Sequence, residues 1–331
     1  MLGGFPAMRV RLFYHDRCFD GACSAAVFSD FFRARFDASA EFVLTGLFHR
    51  AEQLFEEELF DGDENAIVDF KYCSSPKLTW WFDHHQSAFL SPEDAEHFKR
   101  DRSGRKFYDP SYRSCTKYIA NIAGEKFGYD ASHLTELIRW ADIIDGAQYE
   151  NAKAAVEMAA PAMKLTLVLE AAQKNRSAEI IPLLTRHSLE EIAGRPGIRE
   201  CFDELFQRHL ESIDLIRERS ERKGEVVFFD LADTPHGGYN KFVPYYLFPE
   251  SVYVVAVSDA GFRTKISVGS NPWAAHEPRH NLASICERYG GGGHSRVGAI
   301  SYGPGELDRA RQTAQEIVQE LTAPRDTATQ G

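Results

Sequence analysis

Carboxylate and imidazole side chains that could bind metal ions follow three short apolar segments of the chain. These segments are 8–14, 66–68 and 78–82, and they are followed by His15 and Asp20, by Asp69, and by Asp83-His84-His85. Oxygen and imidazole donors without a majority of thiolates suit Mn²⁺, with Mg²⁺, Fe²⁺ or Co²⁺ as competitors. Two such ions about 3.5 to 4 Å apart can hold a phosphoryl group and generate a hydroxide near neutral pH. The residue types therefore indicate phosphoester hydrolysis.

The elements that must position these residues are predicted strands and the helices that follow them. The run 8–14 is β-branched and aromatic, and 22–34 has the small and aromatic residues of a buried helix. Strands that alternate with helices favour an α/β fold with a parallel sheet, whose chemistry gathers at the carboxyl ends of the strands. A further candidate ligand, Asp142, lies at the end of a predicted helix over 132–144.

A run of four glycines near the carboxyl terminus is the second informative segment. It follows a predicted helix and continues into His294 and Arg296. Glycine lets the backbone approach a ligand closely and offers unhindered N–H groups to an anion, while arginine can bind phosphate through two hydrogen bonds. The candidate binding residues are Gly291, Gly292, Gly293, His294 and Arg296. The alternative is a flexible turn that only ends the helix.

Composition excludes several classes of protein. The chain has 331 residues, of which 44% are apolar and 26% charged, so it can form a sizeable core, expected as two domains. No apolar run reaches the roughly 18 to 20 residues of a membrane span, and residues 1–10 lack a secretory signal, so we expect a cytoplasmic protein. A net charge of −11 argues against binding a long nucleic-acid duplex.

The predicted organisation is a catalytic domain over 1–195, a helical linker over 196–224 and a smaller mixed α/β domain over 225–321. The small, polar tail 322–331 is expected to be disordered. The six cysteines form no C-x-x-C pair and suggest neither a zinc ribbon nor a disulfide framework.

Five motifs in order resemble the DHH phosphoesterase superfamily with its DHH-associated carboxy-terminal domain. They are FYHDRCFDGACSAA, IVDF, FDHHQSA, WADIIDG and YGGGGHSRVGA, which together span about 9–301. The resemblance implies a five-stranded parallel sheet in the first domain, a helical linker, a mixed α/β second domain, an active site between the domains and two manganese ions.

The resemblance also implies roles for individual residues. The implied metal ligands are His15, Asp20, Asp69, His84 and Asp142, with Asp69 bridging the two ions and Asp145 as the competitor of Asp142. Asp83 would orient His84, and His85 would face the substrate phosphate. The backbone of Gly291 to Gly293, with His294, would hold the remote phosphate or nucleotide.

Two positions depart from the usual motifs. Cys18 stands where the first motif usually has an aspartate, so it is either a softer ligand or only lines the site. Gly269, in Ser267-Val268-Gly269-Ser270, stands where many members have an arginine, which would remove a phosphate or base contact.

The expected substrates are short single-stranded oligonucleotides, linear dinucleotides or small phosphorylated nucleotides such as 3′-phosphoadenosine phosphate. Activity on polyphosphate or pyrophosphate is the first alternative, because it needs no recognition of a base. The second alternative is a non-catalytic nucleotide-binding regulator. No membrane partner is expected, and a homodimer is left open.

Overall fold

A computed structural model describes residues 7–48, 55–171, 176–234 and 238–323. The chain divides into two compact units, one of Met1–Tyr149 with Met158–Leu205 and the other of Glu150–Glu157 with Phe206–Gly331. The domain limits 1–195, 196–224 and 225–321 stay predictions. Most of the tail expected to be disordered, 324–331, lies outside the described residues.

Eleven strands and twelve α-helices are found within these ranges. The strands are β1 (Arg9–His15), β2 (Glu41–Leu47), β3 (Glu64–Val68), β4 (Trp80–Asp83), β5 (Lys106–Tyr108), β6 (Glu221–Lys223), β7 (Val226–Asp230), β8 (Tyr253–Asp259), β9 (Thr264–Ser270), β10 (Gly292–His294) and β11 (Val297–Tyr302). The helices are α1 (Phe19–Arg35), α2 (Pro92–Arg100), α3 (Cys115–Phe127), α4 (Thr135–Asp145), α5 (Ala152–Val156), α6 (Pro161–Glu170), α7 (Arg176–Ile180), α8 (Leu189–Ala193), α9 (Pro196–Arg219), α10 (Val243–Leu247), α11 (Leu282–Glu287) and α12 (Leu307–Thr322).

The first unit contains a five-stranded sheet in the order β2-β1-β3-β4-β5, in which all pairs are parallel. Its strands β3 and β4 are short, and nearly all of their residues are buried. They are mostly apolar because helices and loops cover both faces of a parallel sheet. The small residues of α1 allow close packing against α3 and α4, and its phenylalanines join Trp80 in the core. This arrangement brings the carboxyl ends of β1, β3 and β4 side by side.

The second unit contains a six-stranded mixed sheet in the order β10-β11-β9-β8-β7-β6. Only β7 and β8 pair in parallel, and the other neighbours are antiparallel. Strand β9 alternates buried and half-buried residues, and its buried side packs with the apolar faces of α11 and α12. The α/β fold class, with a parallel first sheet and a mixed second sheet, is confirmed. Within the described ranges, no helix is both long and apolar enough to cross a membrane.

Candidate metal centre

Three adjacent strands of the first unit end on the residues predicted to bind metal. His15 is the last residue of β1, Asp69 directly follows β3, and Asp83 is the last residue of β4. Asp69 has a φ of +56°, which is uncommon for a residue other than glycine. Strain of this kind persists only where the surrounding structure imposes it, and it is concentrated at functional sites.

Gly21 allows the start of α1 to lie against the end of β1. A Cβ atom at position 21 would lie 2.0 Å from the carbonyl oxygen of His15, so no larger residue fits without moving the backbone. Asp20 precedes this glycine in the first turn of α1. The close approach therefore places Asp20 at the same sheet edge as His15 and explains the Asp-Gly pair of the first motif.

Asp69 is the centre of the cluster. Its side chain is 1% exposed, and neither carboxylate oxygen has a hydrogen-bond partner among the described residues. Nδ1 of His15 lies 3.5 Å from one oxygen, and Nε2 of His84 lies 3.4 Å from the other. A buried carboxylate without hydrogen bonds is costly, and a cation is the usual compensation.

His84 presents one ring nitrogen to three carboxylates. Nδ1 donates a hydrogen bond to the carbonyl oxygen of Tyr112 at 3.0 Å, which leaves Nε2 facing the cluster. Nε2 lies 3.4 Å from oxygens of Asp69 and Asp145 and 3.7 Å from Asp20. A backbone carbonyl behind a metal-binding histidine fixes both the tautomer and the orientation of its ring.

Asp20 is held by the first residues of α3. The backbone N–H groups of Cys115 and Thr116 donate to its two carboxylate oxygens at 2.7 and 3.1 Å. The amino terminus of a helix favours negative charge, because its first N–H groups lack partners in the helix. These contacts fix the position of Asp20 and leave oxygen lone pairs for a further ligand.

The structure brings Asp145, not Asp142, into the cluster. An oxygen of Asp145 lies within 4.8 Å of donor atoms of Asp20 and His84. Asp142 instead forms an ion pair with Lys117 at 3.0 Å and accepts a hydrogen bond from Ser114. The two aspartates are three positions apart on α4, and only the packing of this helix shows which one reaches the centre.

Asp83 orients His85 rather than the ring of His84. Nδ1 of His85 donates to Oδ1 of Asp83 at 2.7 Å, and the same oxygen accepts the backbone N–H groups of His84 and His85. Asp83 is completely buried, whereas the side chain of His85 is 33% exposed. The contact fixes the ring of His85 and leaves its Nε2 as the nitrogen available to a substrate.

Cys18 belongs to the same neighbourhood. Donor atoms of His15, Cys18 and Asp69 lie within 4.8 Å of one another. A second group consists of Asp69, His84 and His85, and a third of Asp20, His84 and Asp145. Because Asp69 and His84 each occur in two groups, the three groups form one continuous centre.

Burial and charge shift the acid–base properties of the cluster. Burial, with the charge of Asp69, raises the pKa of Asp145 to about 6. Burial and the charges of Asp69 and Asp145 also raise the pKa of Asp20 well above its usual range. Burial opposes ionisation of Asp69 as well, but the neighbouring His15 and His84 outweigh it and lower the pKa of Asp69. Imidazoles therefore compensate Asp69, while the carboxylates of Asp20 and Asp145 are disfavoured in their charged form by burial and by the charge of Asp69.

These residues fit a divalent cation. The buried atoms without a hydrogen-bond partner in the described part of the chain include both oxygens of Asp69, Oδ2 of Asp83 and Nε2 of His84. Their oxygen and imidazole donors match the preferences of Mn²⁺ and related ions. A bound cation would satisfy the oxygens of Asp69 and reduce the repulsion among the aspartates.

In the second unit, the glycine run both caps a helix and forms an edge strand. The N–H of Gly291 donates to the carbonyl oxygen of Cys286 in α11, and 292–294 form β10 beside β11. A Cβ atom at Gly291 or Gly293 would lie 2.2 Å from a carbonyl oxygen of β11, whereas one at Gly292 would meet nothing within 4 Å. The packing therefore requires glycine at 291 and 293 but not at 292.

The two polar side chains of this segment differ in burial, since His294 is exposed and Arg296 is half-buried. His294 lies at the end of β10, and Arg296 forms an ion pair with Glu277 at 2.5 Å. At Gly269, a Cβ atom would lie 2.5 Å from the hydroxyl oxygen of Tyr245. The Tyr245 hydroxyl therefore occupies the space that the first atoms of an arginine side chain would need at this position.

Some supporting residues could not be identified from the sequence as part of the centre. They are Tyr112, through its carbonyl oxygen, and Cys115 and Thr116, through their N–H groups. Ser114 does indicate where a helix begins, because serine is a common residue directly before the first turn of a helix. In the structure, the Ser114 side chain caps α3. The sequence gives no signal that this helix end faces Asp20.

Comparison by sequence and by structure gives different results. No protein-family model and no curated protein sequence matches the chain. Its structure is similar to that of PggH, a pGpG-specific phosphodiesterase from Vibrio cholerae, with a TM-score of 0.64 and 17% identity over 95% of this chain and 98% of that one. It is also similar to the DHH domain of a member of the s1p family of ribosomal proteins, with a TM-score of 0.62 and 13% identity over 96% and 88% of the two chains. The chain therefore has the fold of DHH-domain proteins.

Proposed function

We propose that the protein is a metal-dependent phosphoesterase that hydrolyses phosphoester bonds of short oligonucleotides, dinucleotides or nucleotide phosphates. The observation that carries this proposal is the buried Asp69 carboxylate, which lacks hydrogen bonds and lies between His15 and His84. The DHH fold supports the same reading, because one similar structure is a phosphodiesterase specific for pGpG.

The proposed metal-holding residues are His15, Asp20, Asp69, His84 and Asp145, with Cys18 as a further candidate. Asp145 replaces Asp142 in this set because only Asp145 lies in the cluster. Divalent ions bound there, with Mn²⁺ as the preferred candidate and Mg²⁺ or Co²⁺ as alternatives, would polarise a phosphoryl oxygen and lower the pKa of an attacking water. Asp20 and His84 are held in position by backbone groups before any ligand arrives.

His85 is the proposed proton donor and phosphate contact. Burial opposes its protonation, but the hydrogen bond to Asp83 and the charge of Asp69 raise the pKa of His85 to about 9. A raised pKa keeps the imidazole protonated near neutral pH. His85 can therefore donate from Nε2 to a phosphoryl oxygen or to the leaving oxygen, while Asp83 holds Nδ1.

The second unit is the proposed substrate-binding part. Gly292 supports this role, because no contact within the described chain requires glycine there and a small residue allows a ligand to approach the backbone. The exposed His294 and the half-buried Arg296 are polar groups on the same segment. Binding of short single strands or nucleotides needs only a few such contacts, consistent with the net charge of −11.

The test is hydrolysis by the metal-stripped protein with and without Mn²⁺. The panel contains 5′-phosphorylated dinucleotides, 3′-phosphoadenosine phosphate, pyrophosphate and short polyphosphate. We expect manganese-dependent release from a nucleotide substrate. Release only from polyphosphate would replace the proposed substrate class. Metal-free binding of nucleotides without any hydrolysis would instead support a regulator.

A further inference from the structure

The residues that surround the centre offer two chemically different sets of donors. One group, His15, Cys18 and Asp69, contains a thiol, whereas the group of Asp20, His84 and Asp145 contains only nitrogen and oxygen donors. The following inference rests on the proposed metal-dependent function and concerns which ion each group takes.

The thiol of Cys18 lies beside the other candidate ligands of the centre. Cys18 is the N-cap residue of α1, and it lies between His15 at the end of β1 and Asp20 in the first helical turn. Its sulfur lies within 4.8 Å of donor atoms of both His15 and Asp69.

Asp69 provides a separate indication that a cation belongs beside Cys18. Its carboxylate is 99% buried, and its Oδ2, which lies 3.5 Å from Nδ1 of His15, has no hydrogen-bond partner among the described residues. A cation bound between these three side chains would compensate this oxygen. His, Cys and Asp are all common ligands of Zn²⁺, and three protein ligands leave a coordination position open for water or substrate.

We propose that Cys18 makes the two metal positions of this centre differ in the ion that they bind. The His15–Cys18–Asp69 position takes a borderline-soft ion, Zn²⁺ in the first instance, and the Asp20–His84–Asp145 position takes a hard ion such as Mn²⁺. Thiolate ligands favour Zn²⁺ over Mn²⁺, while carboxylates suit Mn²⁺ and Mg²⁺. When the ion binds, the thiol releases its proton to solvent and the sulfur coordinates as thiolate.

The experiment uses Co²⁺ as a spectroscopic substitute for Zn²⁺ in the metal-stripped full chain. A Co²⁺–thiolate bond gives a charge-transfer absorption band in the near ultraviolet, which a site of nitrogen and oxygen donors lacks. The variants are Cys18→Ser and Cys18→Asp. Cys73→Ser is the matched control, because Cys73 is also half-buried in the first unit but lies in none of the three donor groups.

We expect the band in the unsubstituted protein and in Cys73→Ser, and its loss in both Cys18 variants. After dialysis against equal Mn²⁺ and Zn²⁺, the unsubstituted protein should retain more Zn²⁺ than Cys18→Asp, measured by elemental analysis. Cys18→Asp should weaken Zn²⁺ binding by more than about tenfold. If one Cys18 variant fails to fold, the other tests the same prediction.

Two results would overturn the inference. One is Co²⁺ binding to the unsubstituted protein without the band, and the other is an unchanged band in a folded Cys18 variant. Hydrolysis measured on the same preparations separates this inference from the proposed function. Activity without the band contradicts only the role of Cys18, and the band without activity on any substrate contradicts only the phosphoesterase.

Discussion

The metal centre of the first unit and the glycine segment of the second are built in opposite ways. Asp20, Asp69 and His84 of the centre are buried. The carbonyl oxygen of Tyr112 accepts a hydrogen bond from His84, and N–H groups of α3 donate to Asp20. In the glycine segment, His294 is exposed and Arg296 half-buried, and the backbone is fixed by close packing at Gly291 and Gly293. Side chains held in place by hydrogen bonds therefore provide the proposed chemistry. The proposed binding surface is instead a stretch of backbone at Gly292 that a ligand can approach closely.

The largest effect is expected for Asp69→Ala, which removes the carboxylate shared by two donor groups. Hydrolysis should fall by more than the roughly 100-fold that is typical for loss of an outer partner of a metal ligand. A ligand that binds only the folded state raises the melting temperature. Zn²⁺, the ion proposed for the His15–Cys18–Asp69 position, should therefore raise the melting temperature of the unsubstituted protein more than that of Asp69→Ala. Activity retained by this variant would remove Asp69 from the centre.

The next prediction compares the two aspartates of α4. Asp145→Asn should lower Mn²⁺ affinity and hydrolysis by at least about tenfold. Asp142→Asn breaks an ion pair with Lys117, whose side chain is 45% exposed, and should cost no more than about 1 kcal/mol of stability. Calorimetric titration with Mn²⁺ and thermal melts measure both. The opposite ranking would return the metal-binding role to Asp142.

Asp83→Asn is expected to reduce hydrolysis by about 10- to 100-fold and to change its pH dependence. Histidine is protonated below its pKa, and Asp83 helps to raise the pKa of His85 to about 9. Without this carboxylate, His85 loses its proton at a lower pH, so the alkaline limb of kcat should move to lower pH. An unmoved limb in Asp83→Asn would show that His85 is not the proton donor.

The smallest effect is expected in the second unit, where two neighbouring glycines give a matched pair. Gly292→Ala should leave the melting temperature unchanged and raise KM about three- to tenfold, which corresponds to at most about 1.4 kcal/mol. Gly293→Ala should lower the melting temperature, because its Cβ would lie 2.2 Å from the carbonyl oxygen of Val297. An unchanged KM in Gly292→Ala would argue against binding at this strand.

The first sheet was predictable because each strand carries its own signal. The apolar runs before His15, Asp69 and Asp83 correspond to β1, β3 and β4, and the parallel arrangement is confirmed. The glycine run was harder to interpret. The sequence favoured a backbone that offers N–H groups to an anion, but the fold places Gly292, Gly293 and His294 in β10 and uses the N–H of Gly291 to cap α11.

The donor types and their positions at strand ends follow from the sequence, because hydrophobic periodicity and the order of motifs are local properties of the chain. The folded structure was needed to show that Asp145 and not Asp142 faces His84, and that Asp83 holds His85. The same is true of the support that α3 gives to Asp20. The positions of Asp145 and of the N–H groups that hold Asp20 depend on how α3 and α4 pack against α1, and such contacts join residues far apart in the chain. The bond between Asp83 and His85 depends on the backbone conformation directly after β4.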